Sequence, residues 1–230
     1  MTFGVSHGDG DGTKVSAPGA KLDSSRRGRL SQFRRGRAER VRLASTYFDT
    51  TNHKLRRHRL SLRIREAGSK KIQTVKSDAA GPIGRNEWDT EIGGLSPDIK
   101  RASETPLQDF HAKKLRRKLK PVFKTLVRRT IVPLRSGAAE VELAIDRGRI
   151  TAGRRHSRIA EVEIELKRGR PPELFRVARA LEHLASVELC LTSKAERGYL
   201  LTESEESLVR FAEPINLEHD VFIRKHSLSF

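Results

Sequence analysis

Between Ile159 and Lys167, the residues Glu161, Glu163, Glu165 and Lys167 take every second position, with Val162, Ile164 and Leu166 between them. A strand sends alternate side chains to opposite faces, so this period of two puts three carboxylates on one face and aliphatic groups on the other. A helical repeat of 3.6 residues would scatter both sets around its axis. The segment before it follows the same plan: Glu140, Glu142 and Asp146 alternate with Val141, Leu143 and Ile145, and Ala144 completes the polar row. Like charges on one strand face repel and are costly once desolvated. Such rows call for water, cations or a metal ion opposite them.

Other segments carry cations on the corresponding face. Leu60, Leu62 and Ile64 alternate with Ser61, Arg63 and Arg65, and Ile72–Lys76 follows as a hairpin partner after the turn Ala67-Gly-Ser-Lys70. Asn86–Ile92 reads as a third strand after the Gly81-Pro82 break, with Glu87 and Asp89 on one face, Arg85 in line with them and Trp88 on the other. Val122–Pro133, which holds Arg129, is a further strand. Residues 107–119 read as a basic helix or connector ended by Pro121. Pro171-Pro172 opens a helix on which Leu174, Phe175, Val177, Ala178, Leu181 and Leu184 recur at helical spacing. About six strands with few helices predict an α+β chain built on an antiparallel sheet or barrel with flanking helices.

If the strands close into a barrel, the charged rows converge inside it. An interior with both signs suits a polyanion bridged by a divalent metal, Lys and Arg taking phosphate oxygens and carboxylates taking the ion. A sheet whose polar face meets water accounts for the same alternation.

The charge balance bears on the choice of partner. The 230 residues hold 47 Lys and Arg against 29 Asp and Glu, a formal net charge of +18. That surplus is local: 14 against 5 in residues 1–60, 9 against none in 113–129, and even balances elsewhere. Nucleic acid is the habitual partner of such a chain, but it would have to be bound by the two basic segments and is the less favoured one. Residues 1–44, rich in Gly, Ser and Arg, are expected to form a disordered basic arm, 45–201 the domain, and 202–230 a polar tail. Cys190 is the sole cysteine, which excludes an internal disulfide framework. No apolar run approaches the ~18 residues of a membrane span, and the N-terminus has no signal-peptide core, so a cytoplasmic protein without a membrane partner is expected. His53, His58, His111, His156, His183, His219 and His226 are scattered without metal-ligand spacing.

Seven segments occur in an order that resembles the CYTH superfamily, the triphosphate tunnel metalloenzymes, and within it the bacterial inorganic triphosphatases. They are Ser45-Thr-Tyr-Phe-Asp-Thr50, Leu62-Arg-Ile-Arg65, Gln73-Thr-Val-Lys76, Arg85-Asn-Glu-Trp88, Ala139–Arg147, Ala160–Leu166 and Ser193-Lys-Ala-Glu-Arg-Gly-Tyr199. The resemblance implies an eight-stranded antiparallel tunnel that hydrolyses inorganic triphosphate or a related triphosphate with Mg²⁺ or Mn²⁺. Polyphosphate and nucleoside triphosphates are the neighbouring ligands, a cyclase-type activity on the latter included. By position, Arg63, Arg65, Lys76, Arg85, Arg129, Lys194 and Arg197 correspond to phosphate binders, and Asp146, Glu161, Glu163 and Glu165 to metal-side carboxylates. Glu161, Glu163 and Lys76 are the implied catalytic groups. The family's opening strand, Glu-x-Glu-x-Lys, has no counterpart before Ser45, so the tunnel is expected to be incomplete there. Without those two carboxylates the alternative is an inactive polyphosphate- or nucleotide-binding module. Ala212-Glu-Pro-Ile-Asn-Leu217 resembles the linker that leads, in two-domain relatives, to a histidine-rich helical domain, and oligomeric state is left open.

Overall fold

The alternating pattern extends well past its acidic centre, and it does so in strands long enough to span the whole molecule. The computed structural model describes residues 5–7, 13–18, 33–78, 85–182 and 192–203. In chain order these form β1 (Val5–His7), β2 (Thr13–Pro18), β3 (Arg34–Arg35), β4 (Glu39–Asp49), α1 (Lys54–Arg57), β5 (Leu60–Ala67), β6 (Lys70–Asp78), β7 (Arg85–Glu91), α2 (Ala112–Lys118), β8 (Lys120–Ser136), β9 (Ala139–Ala152), β10 (Arg155–Arg168), α3 (Pro171–Glu182) and α4 (Lys194–Leu200). The strands make one antiparallel sheet in the order β1-β2-β10-β9-β8-β4-β5-β6-β7, and β3 pairs separately with β8. No pairing joins β7 to β1, so the sheet is not closed. The expected α+β architecture with few helices is what the chain adopts.

Several elements differ from their sequence outlines. Strand β4 begins at Glu39, ahead of the Ser45 boundary, with Arg40 and Arg42 exposed and Val41 and Leu43 turned to the half-buried side. The dense arginines there mask an ordinary alternation. Within the expected arm β1, β2 and β3 are also paired strands, while residues 1–4, 8–12 and 19–32 lie outside the described residues, as do Gly81-Pro82, Cys190 and residues 204–230. Strand β8 takes in both Pro121 and Pro133. Pro121 sits at a register shift opposite Phe48, and Pro133 lies past the last β4 partner, Ile131, so each falls where the ladder is interrupted. The basic stretch 107–119 divides into a 3-10 turn at Pro106–Asp109 and the short helix α2, whose Lys and Arg side chains are exposed. No helix among the described residues is long and apolar enough to cross a membrane.

Three apolar clusters fix the sheet. On one face Val132, Leu134, Val141, Leu143, Val162, Ile164 and Leu166 pack under Val177, Ala178 and Ala180 of α3. Leu60, Leu62 and Ile64 of β5 are covered by Leu107, Phe110 and Leu115, with Trp88 packed against this cluster as its alternation predicted. Each such aliphatic side chain contributes on the order of 1.5–3 kcal/mol on burial. The third cluster, Tyr47, Phe123, Val127, Ile150, Ile159 and Tyr199, seats α4 against the opposite face. That face also carries the charged rows.

Two features lock α4 in place. The buried Asp49 carboxylate accepts backbone hydrogen bonds from Thr50 (2.7 Å), Leu55 (2.8 Å) and Arg56 (3.0 Å), and the Tyr199 hydroxyl donates to it at 3.0 Å. Burial, and then the Asp49 charge, push the Tyr199 hydroxyl's pKa up, so it stays a donor. Gly198 lies against the Phe123 ring, where an added Cβ would stand 2.2 Å from Cε2. Gly198→Ala should therefore lower the urea-unfolding free energy by about 1–3 kcal/mol through overpacking. Gly93→Ala, with nothing within 4 Å of its added methyl, serves as the neutral comparison. Equal midpoints for the two variants would contradict this seating of α4.

Candidate active site

Antiparallel register decides which carboxylates meet. Glu161 of β10 lies opposite Asp146 of β9, Glu163 lies opposite Ala144, and Arg129 of β8 lies opposite Asp146 from the other side. Carboxylate oxygens of Asp146, Glu161 and Glu163 all fall within 4.8 Å of one another, and all three residues are buried. Arg129 holds Asp146 through a fork, Nε to Oδ1 and Nη2 to Oδ2, each at 2.7 Å. Its Nη2 also donates to Glu163 Oε2 at 2.5 Å. Lys194, at the start of α4, places Nζ 2.9 Å from Asp146, 2.6 Å from Glu161 and 2.9 Å from Glu163. The Arg197 guanidinium abuts Glu161 Oε1. Three cations thus meet three carboxylates.

The protonation balance follows from these contacts. Burial is the largest single influence on Arg129 and pulls its pKa down, but the hydrogen bond to Asp146 and the Glu163 charge outweigh it and leave the value raised. Burial likewise works to raise the Asp146 pKa, yet the Arg129 hydrogen bond and the Lys194 charge keep it below its ordinary 3.8.

Further along the same face stand Arg63 and Arg65 of β5 and Lys76 of β6. Arg63 donates to Glu87 at 2.9 Å, and Lys76 binds the other oxygen of that carboxylate. Burial works against charge on Arg63, but Tyr47, Glu87 and Asp89 more than offset it and its pKa is raised. Arg65 differs. It is half-buried and has no ion pair among the described residues, and its Nε, like that of Arg63, is buried without a hydrogen-bond partner. The neighbouring Arg63 charge, then burial, hold its pKa down to about 10, and Arg129 adds to the repulsion.

Among the expected site residues, Glu165 is not brought into the cluster. It pairs with Lys167 at 2.9 Å near the strand end, and Glu142 and Glu140 are likewise matched there to Lys167 and Arg135. Arg85 opens β7 opposite Asp78, and its side chain lies outside the described residues. Glu87, Asp89 and Tyr47 had no assigned role; Glu87 is the counter-ion shared by Arg63 and Lys76, and Asp89 accepts from Thr74 at 2.6 Å. Their alternation with Trp88 placed Glu87 and Asp89 on the charged face, but only the register could show which cations they serve. Strand β2 lies along β10 with Lys14, Ser16 and Pro18 opposite Glu165, Glu163 and Glu161, and it contains no carboxylate. His53 and His58 make edge contacts to Tyr199 and Phe110, and no histidine joins an acidic cluster among the described residues.

The donor set fits a hard divalent cation: three buried carboxylates from adjacent strands offer converging oxygens.

The CYTH domain model matches residues 13–199. The chain belongs to the CYTH family. An inorganic triphosphatase of Haemophilus influenzae is 28% identical over 222 residues, covering 82% of this chain and 59% of the relative, so the chain spans about three fifths of that protein's length. Among solved structures, the PH1819 protein of Pyrococcus horikoshii OT3 has a TM-score of 0.49 at 19% identity, covering 80% of this chain and 97% of that one. HpAC1 from Hippeastrum, whose dominant activity is that of a triphosphatase, has a TM-score of 0.48 at 14% identity over 81% of this chain and 94% of its own.

Two substitutions probe the electrostatics of this CYTH site. Relieving the repulsion from Arg63 in Arg65→Met should raise the unfolding free energy by about 1 kcal/mol or less, because solvent screens the half-buried guanidinium. A lower urea midpoint would show that Arg65 is stabilised by contacts it does not have here. Asp146, with its folded pKa depressed, contributes stability that is complete above its ordinary 3.8 and lost as pH falls through the lower folded value. Asp146→Asn should therefore flatten the acid limb of the stability profile below about pH 4, read from urea midpoints between pH 2.5 and 7. Unchanged steepness in the variant would refute the linkage.

Proposed function

We propose that the chain hydrolyses inorganic triphosphate, or a closely related triphosphate, with Mg²⁺ or Mn²⁺. One observation carries this. Arg65, half-buried and without an ion pair among the described residues, stands beside Arg63 and within reach of the charge on Arg129, which grips the carboxylate cluster. A half-buried cation without an ion pair, bordering a three-carboxylate pocket, suits an anion that arrives with a metal ion. The inorganic triphosphatase relative supports triphosphate as that anion.

Asp146, Glu161 and Glu163 would hold the ion, which when bound supplies Lewis-acid polarisation of phosphate oxygens. Arg63, Arg65 and Lys76 orient the triphosphate from β5 and β6, and Arg129, Lys194 and Arg197 from β8 and α4. Arg85 is a further phosphate contact from β7. Glu163 accepts a hydrogen bond from the attacking water. As the water oxygen bonds to the terminal phosphorus and the bridging P–O bond breaks, Lys76 and the guanidinium forks neutralise the charge spread over the phosphoryl oxygens. Pyrophosphate leaves with the electron pair of the broken bond, and of the two water hydrogens one stays on the product as hydrogen phosphate and the other passes to solvent. The single cysteine suits a reducing, cytoplasmic setting for this activity.

A second reading is favoured by one feature: β2, the strand against β10, brings Lys14, Ser16 and Pro18 rather than carboxylates to the edge of the acidic row. A module with that edge binds polyphosphate or nucleotide without turning it over.

Phosphate release from tripolyphosphate separates the two. Hydrolysis should require Mg²⁺ or Mn²⁺, stop with a chelator, and fall by roughly 100-fold or more in Glu163→Gln, as loss of several kcal/mol of charge stabilisation implies. Turnover that ignores both changes would sink the metal-dependent mechanism. Saturable binding without release would establish the second reading, and ATP and longer polyphosphate in the same assay rank the substrate classes.

A further inference from the structure

Lys194 occupies the point on which the three carboxylates converge. Its Nζ is within 2.9 Å of Asp146, Glu161 and Glu163 alike, and its side chain is only 15% exposed against 1%, 5% and 9% for the acids. One small cation among three carboxylate oxygens is the arrangement a divalent ion would itself adopt, with the oxygens drawn in to roughly 2.0–2.1 Å for Mg²⁺. Ammonium and metal cannot share it.

The local charge balance points the same way. Among the described residues, three cations, Arg129, Lys194 and Arg197, share the three carboxylates of Asp146, Glu161 and Glu163. A divalent ion entering alone would leave two surplus positive charges in a buried site, which is unfavourable. Arg129 is ill suited to yield, because its fork holds Asp146 by two hydrogen bonds from the central strand β8. Lys194 is a point charge on a flexible four-carbon stem at the first position of α4 and can turn its donors to another anion without moving the helix.

We infer that Lys194 serves as the chain's own cation at the metal position, and that a metal ion gains the three carboxylates only as Lys194 transfers to an incoming triphosphate. This rests on the triphosphatase reading and adds an order to it. Metal and triphosphate bind as a mutually dependent pair, and by linkage each strengthens the other by the same factor.

The test follows Mn²⁺ binding to the full chain by the electron paramagnetic resonance signal of the free ion, with and without imidotriphosphate, whose P–N–P bridges resist hydrolysis. Wild type should bind Mn²⁺ weakly alone and about tenfold or more tightly with imidotriphosphate, within the usual range of coupling. Lys194→Met should bind Mn²⁺ alone about tenfold or more tightly than wild type, with little further gain from imidotriphosphate. Lys194→Arg, which keeps the charge, should resemble wild type. If Lys194→Met folds poorly without metal, circular dichroism should show Mn²⁺ restoring it at concentrations that leave wild type unbound; failure to restore it at any concentration overturns the inference. Equal affinities of wild type and Lys194→Met for Mn²⁺ alone also overturn it, while leaving the triphosphatase reading intact. No Mn²⁺ binding to either protein, even with imidotriphosphate, would instead defeat that reading.

Discussion

Three carboxylates removed from water at adjacent positions of β9 and β10 are the constraint around which the rest of this structure is arranged. Asp146, Glu161 and Glu163 would repel one another strongly in a low-dielectric setting if left alone. Their compensation comes from two distant parts of the sequence, Arg129 on β8 and Lys194 and Arg197 on α4. The first is delivered by sheet register. The others arrive only if α4 docks across the face.

Docking of α4 is therefore an electrostatic requirement as well as a packing event. Tyr199, Phe123 and Tyr47 give it an aromatic seat, with Tyr47 and Phe123 stacked at 4.4 Å and Tyr199 edge-on to Phe123. The absence of a Cβ at Gly198 allows that approach. Asp49 ties the helix to the turn after β4 through the Tyr199 hydroxyl, and Arg56 from α1 reaches Glu196 at 2.9 Å. Apolar and polar contacts thus converge on the element that carries the counter-ions.

The strands were legible because a period of two is a local property. The strand over Leu60–Arg65, its hairpin, and the alternation through Glu161–Lys167 needed only neighbouring residues to be read. Depth was not legible. Glu161, Glu163 and Glu165 are equivalent in the pattern, yet the first two are buried beneath α4 and β8 while Glu165 meets Lys167 near the strand end. The family resemblance assigned Lys194 to phosphate, but a seven-residue helix far along the chain gives no local hint that its first side chain would sit among three acids. The start of β4 escaped notice because Arg40 and Arg42 fill its exposed positions and conceal the alternation of Val41 and Leu43.

The net charge of +18 says little about this chemistry. Outside the two basic segments acids and bases balance, and within the site three cations answer three carboxylates. What sets the site apart is Arg65, which has no ion pair among the described residues. Half-buried beside Arg63, it feels that repulsion more strongly than the opposing pull of Tyr47 and Glu87, and its pKa is held down to about 10. An anion that also carries a divalent ion would answer the acidic cluster and the neighbouring cation at once. Function here is written less in the surplus of charge than in its placement around three buried carboxylates.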